Sequence, residues 1–218
     1  MKLRLAFYVS GNAGRLRKLL AEDNRAILDD VRLVFSDDPR NADLVEPLQR
    51  RGCACVCVDY RALGPDGAAR SLALSEAMLA EFQRHGIDYG FCFGAHILRG
   101  RLLDVYRYRI INFHPSLLPQ FPGLNAIDQA VTAKAFLLGN TAHFITEQID
   151  GGPIIMQSVT TRGRYDKLGY DGVLDLQLPM VCEILAWLKA GGAWPPESSA
   201  PMEGDPVAFF RNEQLRLS

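Results

Sequence analysis

The chain has 218 residues, 48% of them hydrophobic and 22% charged, with a formal net charge of -1. That length suffices to bury the core of one domain with a small extension, and the near-neutral charge supplies no overall field for nucleic acid or an anionic membrane. No apolar run reaches the ~20 residues that span a bilayer, and the opening MKLRLAFYVSGN breaks before a secretory apolar region is complete, so a cytoplasmic protein is expected.

Residues 3–9 (LRLAFYV) are a short apolar run with β-branched and aromatic members, which predicts a strand. SGNAG then turns the chain, and a helix is expected from Leu16. Further strands are predicted at 31–35, 53–58, 88–93 and 110–113, with helices between them at 41–51, 67–85 and near 100–107. Alternation of strand and helix points to an α/β fold, a doubly wound, mostly parallel, Rossmann-like sheet that gathers ligands at the carboxyl ends of its strands. Farther on, 124–138 reads as a helix, 140–148 and 151–161 as a strand pair, and 172–190 as a long amphipathic helix. From Gly191 the chain is rich in proline and glycine, which suggests a catalytic domain over 1–190 and a C-terminal tail over 191–218, where FFRNEQLRL docks or forms a short helix.

Cys53, Cys55 and Cys57 alternate along one predicted strand, so their sulfurs share a face. Without ligands of another type nearby they read as buried thiols rather than a metal site, and no metal is expected. Asp29, Asp30, Asp37 and Asp38 read as solvated loop charges. The loop SGNAGR lacks the spacing of a dinucleotide-binding turn.

The chemistry concentrates in IINFHPSLLPQF, residues 110–121. Asn112 and His114 stand at i and i+2, on one face at a strand's carboxyl end, and Pro115 and Pro119 restrict the backbone that follows. Asp150, in QIDGGP, is followed by glycines that allow close approach; His143, in TAHF, is either a partner of this group or a satisfied buried imidazole. Asn, His and Asp together make an acid–base and oxyanion set without a nucleophile. Between the first strand and helix, Gly11, Asn12, Gly14 and Arg15 occupy a loop whose amides and helix dipole suit a phosphate, or which is a plain turn.

Asn112-Phe-His114-Pro-Ser-Leu-Leu-Pro119, with Phe-Pro-Gly123, Gly139-Asn-Thr-Ala-His143-Phe and Asp150-Gly-Gly-Pro-Ile-Ile-Met-Gln157, resembles the glycinamide ribonucleotide transformylase family of folate-dependent formyltransferases. The resemblance is close from about residue 90 to 160 and looser through the first loop. It implies an enzyme that moves the formyl group of 10-formyltetrahydrofolate to a primary amine, a small-molecule partner and no nucleic acid, with a homodimer open. It also implies that Asn112 donates to the developing oxyanion, that His114 supports that charge and protonates the departing nitrogen, and that Asp150 holds the histidine and relays the amine's proton. His96, Ile97, Leu98, Ile145 and Ile149 would line the folate, and Gly11, Asn12, Gly14, Arg15 and Gln177 the acceptor.

Departures from the family pattern fall on the acceptor side. Ala13-Gly14-Arg15 replaces Gly-Ser-Asn, His96 replaces an arginine, Asn125-Ala-Ile127 replaces a His-Thr-His type segment, and Gln177-Leu178 replaces Glu-His. An amino sugar on a nucleotide, or another small amine, is therefore favoured over glycinamide ribonucleotide. Formyltetrahydrofolate hydrolysis is disfavoured because the chain starts directly on its first strand, and a non-catalytic binding module because all three polar residues are kept.

Overall fold

The computed structural model describes residues 3–191 and 208–211, which fall into two compact units. One is built from residues 3–111 with Ile145–Glu147, the other from Asn112–Phe144 with residues 148–191 and 208–211.

In the first unit, β1 (Leu5–Val9) is paired in parallel with β2 (Val31–Ser36) on one side and β4 (Tyr89–Phe93) on the other, and β3 (Ala54–Cys57) extends the sheet from β2, again in parallel. All five residues of β1 are buried, as a central strand covered on both faces requires, which explains its unbroken apolar run. The connections carry α1 (Gly14–Ala21), α2 (Arg25–Leu28), α3 (Val45–Gln49), α4 (Gly67–Arg84) and α5 (Arg101–Val105). Helix α4 starts where the Asp66 carboxylate accepts from Ala69 N at 2.9 Å, satisfying one of the open amides of the first turn. Its Leu74, Met78, Leu79 and Phe82, spaced to one helical face, join Ala6, Tyr8, Leu33 and Phe35 in a single core. Each such side chain contributes about 1.5–3 kcal/mol by leaving water. Because β2 and β4 flank β1, the winding reverses between β1 and β4, and their carboxyl ends form the topological switch point.

Strand β5 (Ile110–His114) passes from this unit into the second. There β6 (Leu137–Phe144) and β7 (Ile154–Thr161) pair antiparallel, and β8 (Ala208–Arg211) adds antiparallel to β7. Helices α6 (Ala126–Thr132), α7 (Arg162–Leu168), α8 (Asp171–Leu174) and α9 (Gln177–Lys189) complete it. Ile127, Ala130, Leu138 and Val173 form a small core between α6, β6 and α8. Asn140 of β6 ties these layers, donating to Ser158 Oγ at 3.0 Å and to Val173 O at 2.9 Å.

The α/β architecture with a mostly parallel sheet is as expected, and several boundaries differ. The helix expected over 124–138 stops at Thr132, and Lys134, at φ 56, turns the chain so that Leu137 already begins β6. The helix expected over 172–190 is broken into α8 and α9. The segment expected as 41–51 opens as a 3₁₀ turn at Pro39, capped by the Asp38 carboxylate. Cys53 precedes β3; it is buried, Cys55 and Cys57 are half-buried, and burial pushes the thiols of Cys53 and Cys55 up to about 12, so these sulfurs stay protonated. Within the tail, Ala208–Arg211 docks as a strand against β7; the rest of FFRNEQLRL, like most of the expected 191–218 segment, lies outside the described residues. Asp30 and Asp37 are buried, against the expectation of solvated charges. Among the described residues no helix is long and apolar enough to cross a membrane.

Candidate active site

Asn112 and His114 leave β5 on one face, and β6 brings His143 to meet them. His143 Nδ1 lies 3.0 Å from its neighbour's carbonyl, Phe144 O, so this nitrogen carries the proton and Nε2 accepts from Asn112 Nδ2 at 3.1 Å. One hydrogen of the Asn112 amide is thereby fixed, and the other is oriented by the same contact. His114, 5% exposed, is held at its far edge, Nε2 donating to Phe121 O at 3.0 Å. Its Nδ1 faces Asp150 Oδ2 at 3.5 Å, and the other carboxylate oxygen lies 3.6 Å from His143 Nε2.

Asp150 is thus a bridge between two imidazoles. Its backbone sits at φ 51, in the left-handed region that Asp and Asn tolerate better than most residues, and Gly123 N donates to its Oδ2 at 2.7 Å. Burial alone would raise the carboxyl, but the Gly123 amide and the charge of His114 help to outweigh it and hold the group below the ordinary carboxylate range. The site therefore contains a fixed amide donor, an imidazole and an ionised carboxylate in mutual reach.

What holds His114 still is the loop after it. Thr141, two residues before His143 and on the same face of β6, accepts from Leu118 N at 3.0 Å and donates to Ser116 O at 2.7 Å. Gln157 of β7 donates to Leu118 O at 2.9 Å and Thr141 Oγ1 at 3.0 Å, and Ser116 Oγ donates to Gln120 O at 2.6 Å. The Leu118–Pro119 peptide is cis. This clamp fixes Phe121, whose carbonyl carries the histidine. Sequence reasoning missed Thr141 and Gln157; the signal available for Thr141 was its two-residue spacing from His143 along β6.

The expected folate residues are placed unequally. Leu98 (4% exposed) and Ile145 pack in the core of the first unit, so only their backbone is left for a ligand, while Ile97 and Ile149 are exposed. His96 stacks on Tyr60 with ring centroids 3.4 Å apart and lies 3.6 Å from Asp37. Of the expected acceptor residues, Gln177 needs correction. It is fully buried, its amide donating to Phe113 O at 3.0 Å and Asn140 Oδ1 at 2.8 Å, so it braces β5 and β6 from beneath instead of lining a pocket. Arg15 reaches back to the Phe93 carbonyl, and Gly11, Asn12 and Gly14 sit in the βα turn as expected.

A family model described as formyl transferase matches residues 3–162. The chain belongs to the formyl transferase family. Phosphoribosylglycinamide formyltransferase of Bacillus subtilis is 28% identical over 166 residues, covering 76% of this chain and 83% of that protein. Formyltetrahydrofolate deformylase 2 of Arabidopsis thaliana is 44% identical over 72 residues, 33% of this chain and 22% of that one. Among solved structures, glycinamide ribonucleotide transformylase 1 of Symbiobacterium toebii superposes with a TM-score of 0.73 at 28% identity, covering 87% of this chain and 88% of that one. This formyl transferase is an enzyme of the folate-dependent, glycinamide ribonucleotide transformylase type.

Proposed function

We propose that the chain transfers the formyl group of 10-formyltetrahydrofolate directly to the primary amine of a small acceptor. The observation that carries this is the Asn112–His114–Asp150 group, a donor, an acid–base and a carboxylate within reach of one another, with no nucleophilic side chain among them. The amine nitrogen attacks the formyl carbon, and the carbonyl electron pair moves to oxygen, where the free Asn112 N–H and the His114 imidazole meet it. Asp150 takes the proton the amine sheds. The bond from carbon to the folate nitrogen then breaks, its electron pair stays on that nitrogen, and a proton from His114 neutralises it.

For the acceptor we favour an amino sugar on a nucleotide or another small amine, because the changes at Ala13-Gly14-Arg15 and Asn125-Ala-Ile127 fall outside the catalytic group. The similarity to phosphoribosylglycinamide formyltransferase and glycinamide ribonucleotide transformylase supports a second reading, glycinamide ribonucleotide as acceptor, and the similarity to a formyltetrahydrofolate deformylase makes water the third. The purified chain with 10-formyltetrahydrofolate and a panel of amines is expected to yield formylated amine and tetrahydrofolate in equal amounts. Release of formate with no formylated amine would overturn transfer in favour of hydrolysis.

A further inference from the structure

In the first unit the carboxyl ends of β1, β2 and β4 converge on one buried carboxylate. Asp37, the residue after β2, is 5% exposed; its Oδ2 accepts from Tyr8 Oη at 2.6 Å and from Ser10 Oγ, and lies 3.6 Å from His96 Nε2. Ser10 Oγ accepts from Ala95 N at 2.8 Å, so the hydroxyl that opens the βα loop is spent on protein groups from both sides. This is the switch point between β1 and β4, where such sheets take ligands, and the loop over it ends in the helix terminus that ordinarily attracts an anion.

Here the loop is closed on itself. Asn12 Oδ1 accepts from Gly14 N at 3.1 Å, the first amide of α1, and Ala13 N donates to Ser10 O at 3.1 Å. The outward carbonyls are also used, Gly11 O by Asn41 Nδ2 at 2.9 Å and Asn12 O by Arg17 Nε at 2.8 Å. The arginines of the turn face protein groups. Arg17 forks onto Asp43 at 2.7 and 2.8 Å, and Arg15 donates to Phe93 O at 3.0 Å with its guanidinium 4.6 Å from the Phe93 ring centroid. An incoming phosphate would have to displace the Asn12 amide oxygen while facing the Asp37 carboxylate, two penalties with one sign.

We infer that the Ser10–Gly14 loop, closed by Asn12 and seated on Asp37, is a specificity element that rejects phosphate, so that the acceptor amine presents an uncharged or cationic group to it. The inference rests on the formyl-transfer reading, yet its test separates the two. Calorimetric titration with inorganic phosphate, which needs no turnover, is compared across the wild type, Asp37→Asn and the surface variant Asn12→Ala. Turnover is then measured with glycinamide ribonucleotide against its riboside, two amines that differ only by the phosphate.

No phosphate binding by the wild type up to ~10 mM, binding in at least one variant, and a ribonucleotide-to-riboside ratio of kcat/KM near one are expected. Phosphate binding by the wild type below ~1 mM, or a preference for the ribonucleotide of about tenfold or more, overturns the inference and leaves formyl transfer standing. If neither amine reacts, the titration alone decides: phosphate binding in either variant with none in the wild type supports the element, and no binding in either variant overturns it.

Discussion

His114 and Asp150 face each other across 3.5 Å, and the histidine's other nitrogen is committed to Phe121 O, so the only ring position open to exchange a proton is the one beside the carboxylate. Asn112 is placed differently, half-buried two residues before the end of β5, with its amide fixed by His143. Asn112→Ala should therefore lower kcat by ~10²–10³ with little change in the folate KM, since the lost donor acts chiefly on the charge that develops in the transition state. A rise in KM with kcat unchanged would instead make Asn112 a ground-state binding residue. Asp150 gives a pH prediction. Its carboxyl is held below its unfolded value of 3.8, so the stability it contributes is complete above that value and is lost as pH falls through the lower folded one. Unfolding profiles of wild type and Asp150→Asn should differ by a constant amount from neutral pH down to about 4 and converge below it; a gap that opens only above pH 6 would point to a histidine.

At the scale of elements, the site is a product of β6 and β7 as much as of β5. Thr141 and Gln157 reach from these strands into the loop after His114 and hold Ser116 and Leu118 by their backbones. Thr141→Val keeps the shape and removes the hydroxyl, leaving buried partners unsatisfied; it should cost about 1–3 kcal/mol in urea unfolding. It should also lower kcat through a misplaced His114, and unchanged stability would show that the clamp is replaced by water. The β6–β7 pairing has its own requirement, because a Cβ on Gly139 would lie 2.0 Å from Ser158 O and 2.6 Å from a Leu117 methyl. Gly139→Ala should thus destabilise by about 3 kcal/mol, since the nearest atom is backbone and cannot rotate away. A variant as stable as the wild type would refute that close approach.

Across the whole molecule, what could be read from the sequence was what local periodicity and adjacency encode. The strands of the parallel sheet are apolar runs bounded by turns, so Leu5–Val9, Val31–Ser36 and Tyr89–Phe93 lie within a residue or two of their expected spans. Asn112 and His114 were legible as a pair because two residues on one strand share a face. Thr141, Gln157 and the core role of Gln177 were not, because each depends on a partner 16 to 64 residues away that no local pattern reveals. Asp37 failed for the same reason, its charge being accommodated by Tyr8 and Ser10 from another strand. Burial and the nearby Asp37 carboxylate push the Tyr8 hydroxyl well above its ordinary value, so it remains a donor.

Direct transfer by the β5 and β6 polar group is tested most sharply by a single-turnover measurement with 10-formyltetrahydrofolate and a reactive amine, comparing wild type with His114→Ala. Formylated amine is expected to appear in the wild type at the rate tetrahydrofolate forms, and both rates are expected to fall together by ~10² or more in the variant. Equal rates in the two proteins, or tetrahydrofolate formed without formylated amine, would contradict it.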